Sequence, residues 1–176
     1  QVLGYLNEKQ PGINPHIVTR LDRNTSGIVI LAKHGFIHHL MSNLNIDKKY
    51  LCICYGKTEK EGVIDAPIAR HPESIIQRRV DAAGKTAQTR FKRVEYKEGF
   101  SMCEVTLLTG RTHQIRVHFQ HIGHSIVGDA LYGGKHESYH HQLLRCTQVA
   151  FIHPIKNQNI VINDKYDAIE TLFNMI

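Results

Sequence analysis

The sequence predicts an α+β fold with a mixed, mainly antiparallel central sheet flanked by helices and loops. Two observations predict it. Segments with strand chemistry outnumber those with helical periodicity, and the connections between successive strands are mostly too short for parallel crossovers. The 176 residues, 41% hydrophobic and 22% charged, suffice for one core without staples, so residues 1–176 are read as a single domain.

Residues 2–6 are expected to open the chain as a short helix, and Pro11, Gly12 and Pro15 then enforce an irregular approach. Residues 27–33 are apolar on both faces as far as Lys33, which predicts a central buried strand. Phe36, Leu40, Met41 and Leu44 recur at helical spacing, so residues 35–45 form an amphipathic helix. Residues 50–55 return to strand chemistry, and Gly56 closes that strand. Pro67, Pro72 and Gly84 break the stretch 58–87, with short strands expected near Val63 and Ile75. Residues 89–96 and 101–108 read as an antiparallel pair joined through Lys97, Glu98 and Gly99. In the second strand Cys103, Val105 and Leu107 alternate with Glu104 and Thr106, as a half-buried strand requires. Residues 111–122 form a helix with Ile115, Phe119 and Ile122 on its buried stripe, stopped at Gly123. Gly128, Gly133 and Gly134 mark a loop. Late strands follow over residues 146–152 and 159–162, then a final helix through Leu172 that Asp164 caps.

No apolar run approaches the roughly 18–20 residues a membrane-spanning helix needs, so no membrane partner is expected. Cys52, Cys54, Cys103 and Cys146 form no C-x-x-C pair and lie in apolar segments. They are read as reduced core thiols of a cytoplasmic protein, not as a disulfide frame or a zinc site. No signal-peptide pattern opens the chain. It begins at Gln1 rather than Met, so it is read as an N-terminally truncated fragment. The net charge of +6 points to a polyanionic partner, most often nucleic acid. Most basic residues, from Arg20 to Arg116, fall in the first two-thirds, whereas the tail around Asp164, Asp167 and Glu170 is acidic. A basic face with an acidic back is what phosphate tracking requires.

Two segments carry candidate chemistry. Thr19-Arg20-Leu21-Asp22-Arg23-Asn24-Thr25-Ser26-Gly27 is a polar loop feeding the most apolar run. An Asp between two Arg residues is held ionised, as a nucleophile needs. The same Asp equally suits a turn built with Asn24, Thr25 and Ser26. In Gly110-Arg111-Thr112-His113-Gln114-Ile115-Arg116, the helical period sets Arg116 beside the buried stripe. Such an Arg needs a carboxylate or phosphate partner, or belongs to a structural ion pair. His113, His118, His121 and His124 crowd one segment and His136, His140 and His141 another, but without clean ligand spacing. They are read as surface or RNA-facing rather than metal-binding. The chain has no phosphate-binding G-x-x-x-x-G-K-[ST] loop, no dinucleotide fingerprint and no G-x-S-x-G elbow.

Together these segments resemble the RluA-type pseudouridine synthases. The loop from Thr19 to Gly27, with the apolar run and Ala32-Lys33, resembles that family's catalytic signature. Gly110-Arg111-Thr112-His113-Gln114-Ile115-Arg116-Val117-His118, then Gly123-His124-Ser125-Ile126-Val127-Gly128-Asp129 and Tyr132-Gly133, resembles its later signature. Lys49-Tyr50-Leu51 with Tyr55-Gly56 resembles the short tyrosine motif between them. Thr19 and Arg145 stand where the family often has His.

The resemblance implies an isomerase that converts selected uridines of ribosomal or transfer RNA to pseudouridine, with no cofactor and no metal, expected as a monomer. It implies that Asp22 is the catalytic aspartate, that Tyr50 either only stacks on the target base or also serves as the base, and that Arg116 pairs with the catalytic carboxylate. Two aligned hydrogen bonds from Arg116 to Asp22 are therefore expected. Arg20 is implied to fill the space left by the flipped nucleotide, and Leu144 to wall the uracil pocket. Arg111, Arg23 and His113 join the substrate-binding set. An upstream strand and loop, often after a small RNA-binding domain, precede the signature in the family. This chain begins too late to contain them, so its sheet is expected to lack a piece and it carries no separate RNA-binding domain. The rival readings are a non-catalytic RNA-binding module on the same scaffold and, more distantly, a histidine-based metal hydrolase.

Overall fold

The computed structural model describes residues 2–9, 12–164 and 168–175. Pro11, Asp167 and the link between Asp164 and the last helix, on which the expected cap depends, lie outside the described residues. In chain order the elements are α1 (Val2–Lys9), the two-residue strands β1 (His16–Ile17), β2 (Ser26–Gly27) and β3 (Leu31–Ala32), and α2 (Gly35–Ser42). Then come β4 (Asp47–Tyr55), β5 (Glu61–Asp65), β6 (Ile68–Arg70), β7 (Arg78–Val80), β8 (Gln88–Lys97) and β9 (Phe100–Leu107). α3 (Gln114–His121), a 3-10 turn (Ala130–Tyr132), β10 (Leu144–Ile152), β11 (Asn159–Asn163) and α4 (Ala168–Met175) complete the chain.

Among the described residues a seven-stranded sheet runs in the order β11-β10-β4-β9-β8-β5, with β2 added alongside β10. Its pairs are antiparallel except β2 with β10, which is parallel. The mixed, mainly antiparallel α+β architecture is the one expected. The β8–β9 hairpin turns through Glu98 and Gly99 at positive φ, as its sequence indicates.

The central strand is β4, not residues 27–33. Successive side chains of a strand point to opposite faces, and β4 is buried on both. Tyr50, Cys52 and Cys54 join a core with Phe91, Val105, Phe119 and Leu144. Leu51 and Ile53 join another with Met102, Ile169 and Phe173. Phe119 of α3 meets Phe91 edge-on at 5.8 Å between ring centres, a geometry worth about 0.5–1.5 kcal/mol beyond its buried area. The four cysteines are buried free thiols.

Residues 27–33 instead break up: Gly27 ends β2 beside β10, β3 pairs with β1 in a separate two-stranded sheet, and Val29 is exposed. The backbone bonds of this run explain the break. The Ile28 N–H donates to the Cys146 carbonyl, and the Ile30 N–H to the Thr19 hydroxyl. Gly27 makes the first of these possible. Its φ is +110° and an added Cβ would meet the Cys146 carbonyl oxygen at 2.2 Å. Gly27→Ala therefore lowers unfolding free energy by about 1–3 kcal/mol, read as a reduced urea midpoint; an unchanged midpoint would show that β2 yields without strain.

Two further expectations are corrected. Ile75 is in no strand: it lies 83% exposed between β6 and β7, which pair with each other. α3 starts at Gln114, after His113 in the left-handed conformation. The cause is the Gln114 side chain, which accepts from the Arg111 N–H and the Thr109 hydroxyl and donates to the Gln88 carbonyl. It ties the Gly110–Thr112 turn to β8 before the helix begins.

Candidate active site

These elements converge on an open cleft with about 700 Å³ of empty space. Arg20, Leu21, Asp22 and Thr25 line it from the loop before β2. Lys48 and Tyr50 line it from β4, Arg111 and Thr112 from the turn before α3, and Leu144 from the start of β10. Of the residues singled out in the sequence, Asp22, Tyr50, Arg20, Leu144 and Arg111 thus share one cavity.

Asp22 sits in a tight turn. The Thr25 N–H donates to the Asp22 backbone carbonyl, and Asn24 takes positive φ. The turn is clamped by Gln142, whose side-chain amide donates to the Arg23 carbonyl and the Thr25 hydroxyl. The turn therefore closes through backbone, and its carboxylate makes no hydrogen bond among the described residues. The carboxylate is 22% exposed and lies 3.9 Å from Arg116 Nη1.

That distance is an ion pair but not a hydrogen bond. The expected two-bond fork from Arg116 goes elsewhere: Nε donates to Asp129 Oδ2 at 2.7 Å and Nη2 to Asp129 Oδ1 at 2.8 Å. The Arg116 and Asp129 side chains are only 6% and 1% exposed. The guanidinium also lies over the Tyr132 ring, 4.9 Å from its centre, a cation–π contact. Burial works against the Arg116 charge, but the Asp129 bonds and the charges of Asp129 and Asp22 outweigh it and raise its pKa. Both sequence readings of Arg116, carboxylate partner and structural ion pair, thus describe the same side chain.

Tyr50 is almost fully buried. Burial, then the neighbouring Cys146 and Asp22, push its hydroxyl well above the ordinary tyrosine range. Lys48, two residues earlier on the same face, is pulled below the ordinary lysine range by burial. Arg20 is exposed, and Arg111 donates to the Thr86 carbonyl.

Arg23 and His113 do not line the cleft. Arg23 is exposed and anchors the turn through its carbonyl. His113 Nδ1 lies 2.8 Å from the Tyr132 hydroxyl, which also accepts the Arg78 N–H. Burial lowers the His113 pKa despite Asp22 nearby. His118 is also not surface-facing. It is fully buried, with Nδ1 at the Thr89 hydroxyl and Nε2 at the Ala66 carbonyl, bracing α3 against the sheet. The two departures from the motifs have structural roles: Thr19 holds Ile30, and Arg145 pairs with Asp164.

The RNA pseudouridylate synthase family profile matches residues 4–121. The chain belongs to the RNA pseudouridylate synthase family. Among relatives of this synthase family, it is 42% identical over 150 residues to YjbO of Bacillus subtilis, an uncharacterised RNA pseudouridine synthase, covering 82% of this chain and 53% of the relative. It is 32% identical over 180 residues to ribosomal large subunit pseudouridine synthase D of Zymomonas mobilis, covering 92% of this chain and 56% of that one. The chain spans about half the length of the curated relatives it matches. The solved human RNA pseudouridylate synthase domain containing 1 shares its fold, with a TM-score of 0.79 at 21% identity, covering 99% of this chain and 84% of that one. The RluA-type resemblance of the motifs and the fold it implied are upheld.

Sequence reasoning missed Lys48, which lines the cleft, and Asp129, which lies buried against Arg116. Lys48 had a signal, since it is two residues from Tyr50 and so shares its sheet face. Asp129 had one in Gly128-Asp129 of the later motif, but no spacing rule links it to Arg116.

Proposed function

We propose that the protein isomerises uridine in RNA to pseudouridine, with Asp22 acting on the substrate. The observation that carries this reading is the Asp22 carboxylate: open to a cleft, without a hydrogen bond among the described residues, and faced by a buried guanidinium at 3.9 Å. The reaction breaks the C1′–N1 bond and joins C1′ to C5. The C5 hydrogen leaves as a proton and N1 gains one. Nothing is oxidised and no phosphate is hydrolysed, so the chemistry needs no metal or cofactor. Attack on the sugar, attack on the ring and removal of a sugar proton all use the same ionised oxygen.

The target base must first leave its stack, at a cost of a few kcal/mol. Tyr50 supplies the face on which it stacks and Leu144 an apolar wall. Exposed Arg20 reaches toward the vacated space, and Arg111 meets the backbone. Arg23, outside the cleft, contacts flanking phosphate. His113 acts only through Tyr132. The reading has the protein work in the cytoplasm, where its buried thiols stay reduced. No helix among the described residues is long and apolar enough to cross a membrane.

Transcripts of large-subunit ribosomal RNA and of transfer RNA, tritiated at uridine C5, test the reading. The full-length protein is expected to release tritium from one of them. Binding without release from either would favour a non-catalytic module.

Tyr50 stays protonated at neutral pH, so we expect it to stack rather than act as a base. Tyr50→Phe should keep kcat/KM within about tenfold. Tyr50→Ala should lose about 1–3 kcal/mol of base stacking, read in the same assay. A loss of about 10²–10⁴-fold in Tyr50→Phe would restore the proton-transfer role.

A further inference from the structure

Arg116 stands between two carboxylates and treats them differently. Asp129 takes Nε and Nη2 at 2.7 and 2.8 Å, whereas Asp22 faces Nη1 at 3.9 Å. Resting on the synthase reading above, we propose that Asp129 is a positioning residue that keeps Asp22 free. By occupying the fork of Arg116, it gives Asp22 the guanidinium's charge without its hydrogen bonds.

The chemistry requires such a division. A bidentate guanidinium bond engages the lone pairs of a carboxylate, and those lone pairs are what Asp22 must offer. Yet an Arg with an empty fork 3.9 Å from an anion closes onto it. Only a second carboxylate, held more rigidly than Asp22, prevents that.

The loop carrying Asp129 is built for rigidity. Its carbonyl accepts the Tyr132 and Gly134 N–H groups, and its own N–H donates to Ile126. Side chains are excluded on both flanks. A Cβ on Gly128 would meet the His141 carbonyl oxygen at 2.1 Å, and one on Gly134 the Ile126 carbonyl oxygen at 1.8 Å. Tyr132 lies under the guanidinium and is pinned through its hydroxyl. The segment Gly128-Asp129-Ala130-Leu131-Tyr132-Gly133-Gly134 is thus a device for fixing one guanidinium in position and plane.

Asp129→Asn tests this by tritium release from the transcript that the wild type modifies. The expected result is a fall in kcat of about 100-fold or more, with RNA affinity by fluorescence anisotropy unchanged within about threefold. In an Arg116→Lys background, the same substitution should cost less than about threefold more, because the fork is already gone. A kcat within threefold of wild type would overturn the proposal. So would an equal further loss in both backgrounds, which marks a merely structural residue.

If Asp129→Asn does not fold, side-chain ¹⁵N NMR of the wild-type protein decides. A slowly exchanging Arg116 Nε proton that persists with RNA bound supports the proposal, and exchange at solvent rates refutes it. The NMR arm reads the fork whether or not tritium is released. Absence of turnover in the wild type would therefore count against the synthase reading alone.

Discussion

Asp22→Asn is expected to abolish tritium release, lowering kcat by about 10⁴-fold or more, the scale seen when the reacting group of a preorganised site is removed. The substitution is nearly isosteric. It removes the ionised oxygen and alters little else, because the Asp22 turn is closed by its own backbone and by Gln142. Arg116 loses no hydrogen bond, since both go to Asp129. Stability should stay within about 1 kcal/mol, the range of a partly exposed ion pair, and RNA affinity within about tenfold. Urea unfolding, RNA binding and tritium release on the same preparation separate these effects. If Asp22 were only a structural partner of Arg116, the variant would lose stability and keep its rate. That result would remove Asp22 from the chemistry.

The same residue shows where sequence reading reaches and where it stops. That Asp22 occupies a charged loop beside an apolar run is visible in the residues, and so is the loop's place next to Tyr50 once the motifs are recognised. How the loop is held is not visible. Gln142, which clamps it, is 117 residues away from Thr25, and nothing in local pattern announces so distant a bond. The central strand was misplaced for a related reason. Residues 27–33 and 50–55 are both apolar runs of strand length, and periodicity alone does not say which lies in the middle. Cross-strand partners decide that, and β4 has them on both sides, whereas β2 has two residues of pairing. Ile75 carries strand chemistry but is exposed between two short strands, so local preference there yields to the tertiary arrangement. The strongest pattern, alternation in Cys103, Val105 and Leu107 with a glycine turn before it, gave β8 and β9 to within a residue or two.

Arg116 is where the structure changes the expected outcome most. Arg116→Lys keeps a positive charge but loses the planar fork, and one ammonium cannot both bind Asp129 with two aligned bonds and face Asp22. The expected loss in kcat is on the order of 10²–10³-fold, that of removing one preorganised electrostatic group, with little change in unfolding. Arg116→Ala should do more. Asp129 is 1% exposed, and the substitution strands its carboxylate in the interior. Breaking a buried pair by removing one partner costs about 3–5 kcal/mol, so this variant should unfold at distinctly lower urea. The orphaned charge is then Asp129, not Asp22, whose carboxylate still meets solvent. That difference gives a sharp check. Adding Asp129→Asn to Arg116→Ala removes the stranded charge and should recover much of the lost stability while leaving the protein inactive. Adding Asp22→Asn instead should recover little. Recovery through Asp22 rather than Asp129 would mean that the guanidinium's main partner in solution is the cleft carboxylate, and the division of labour between the two aspartates would have to be reversed.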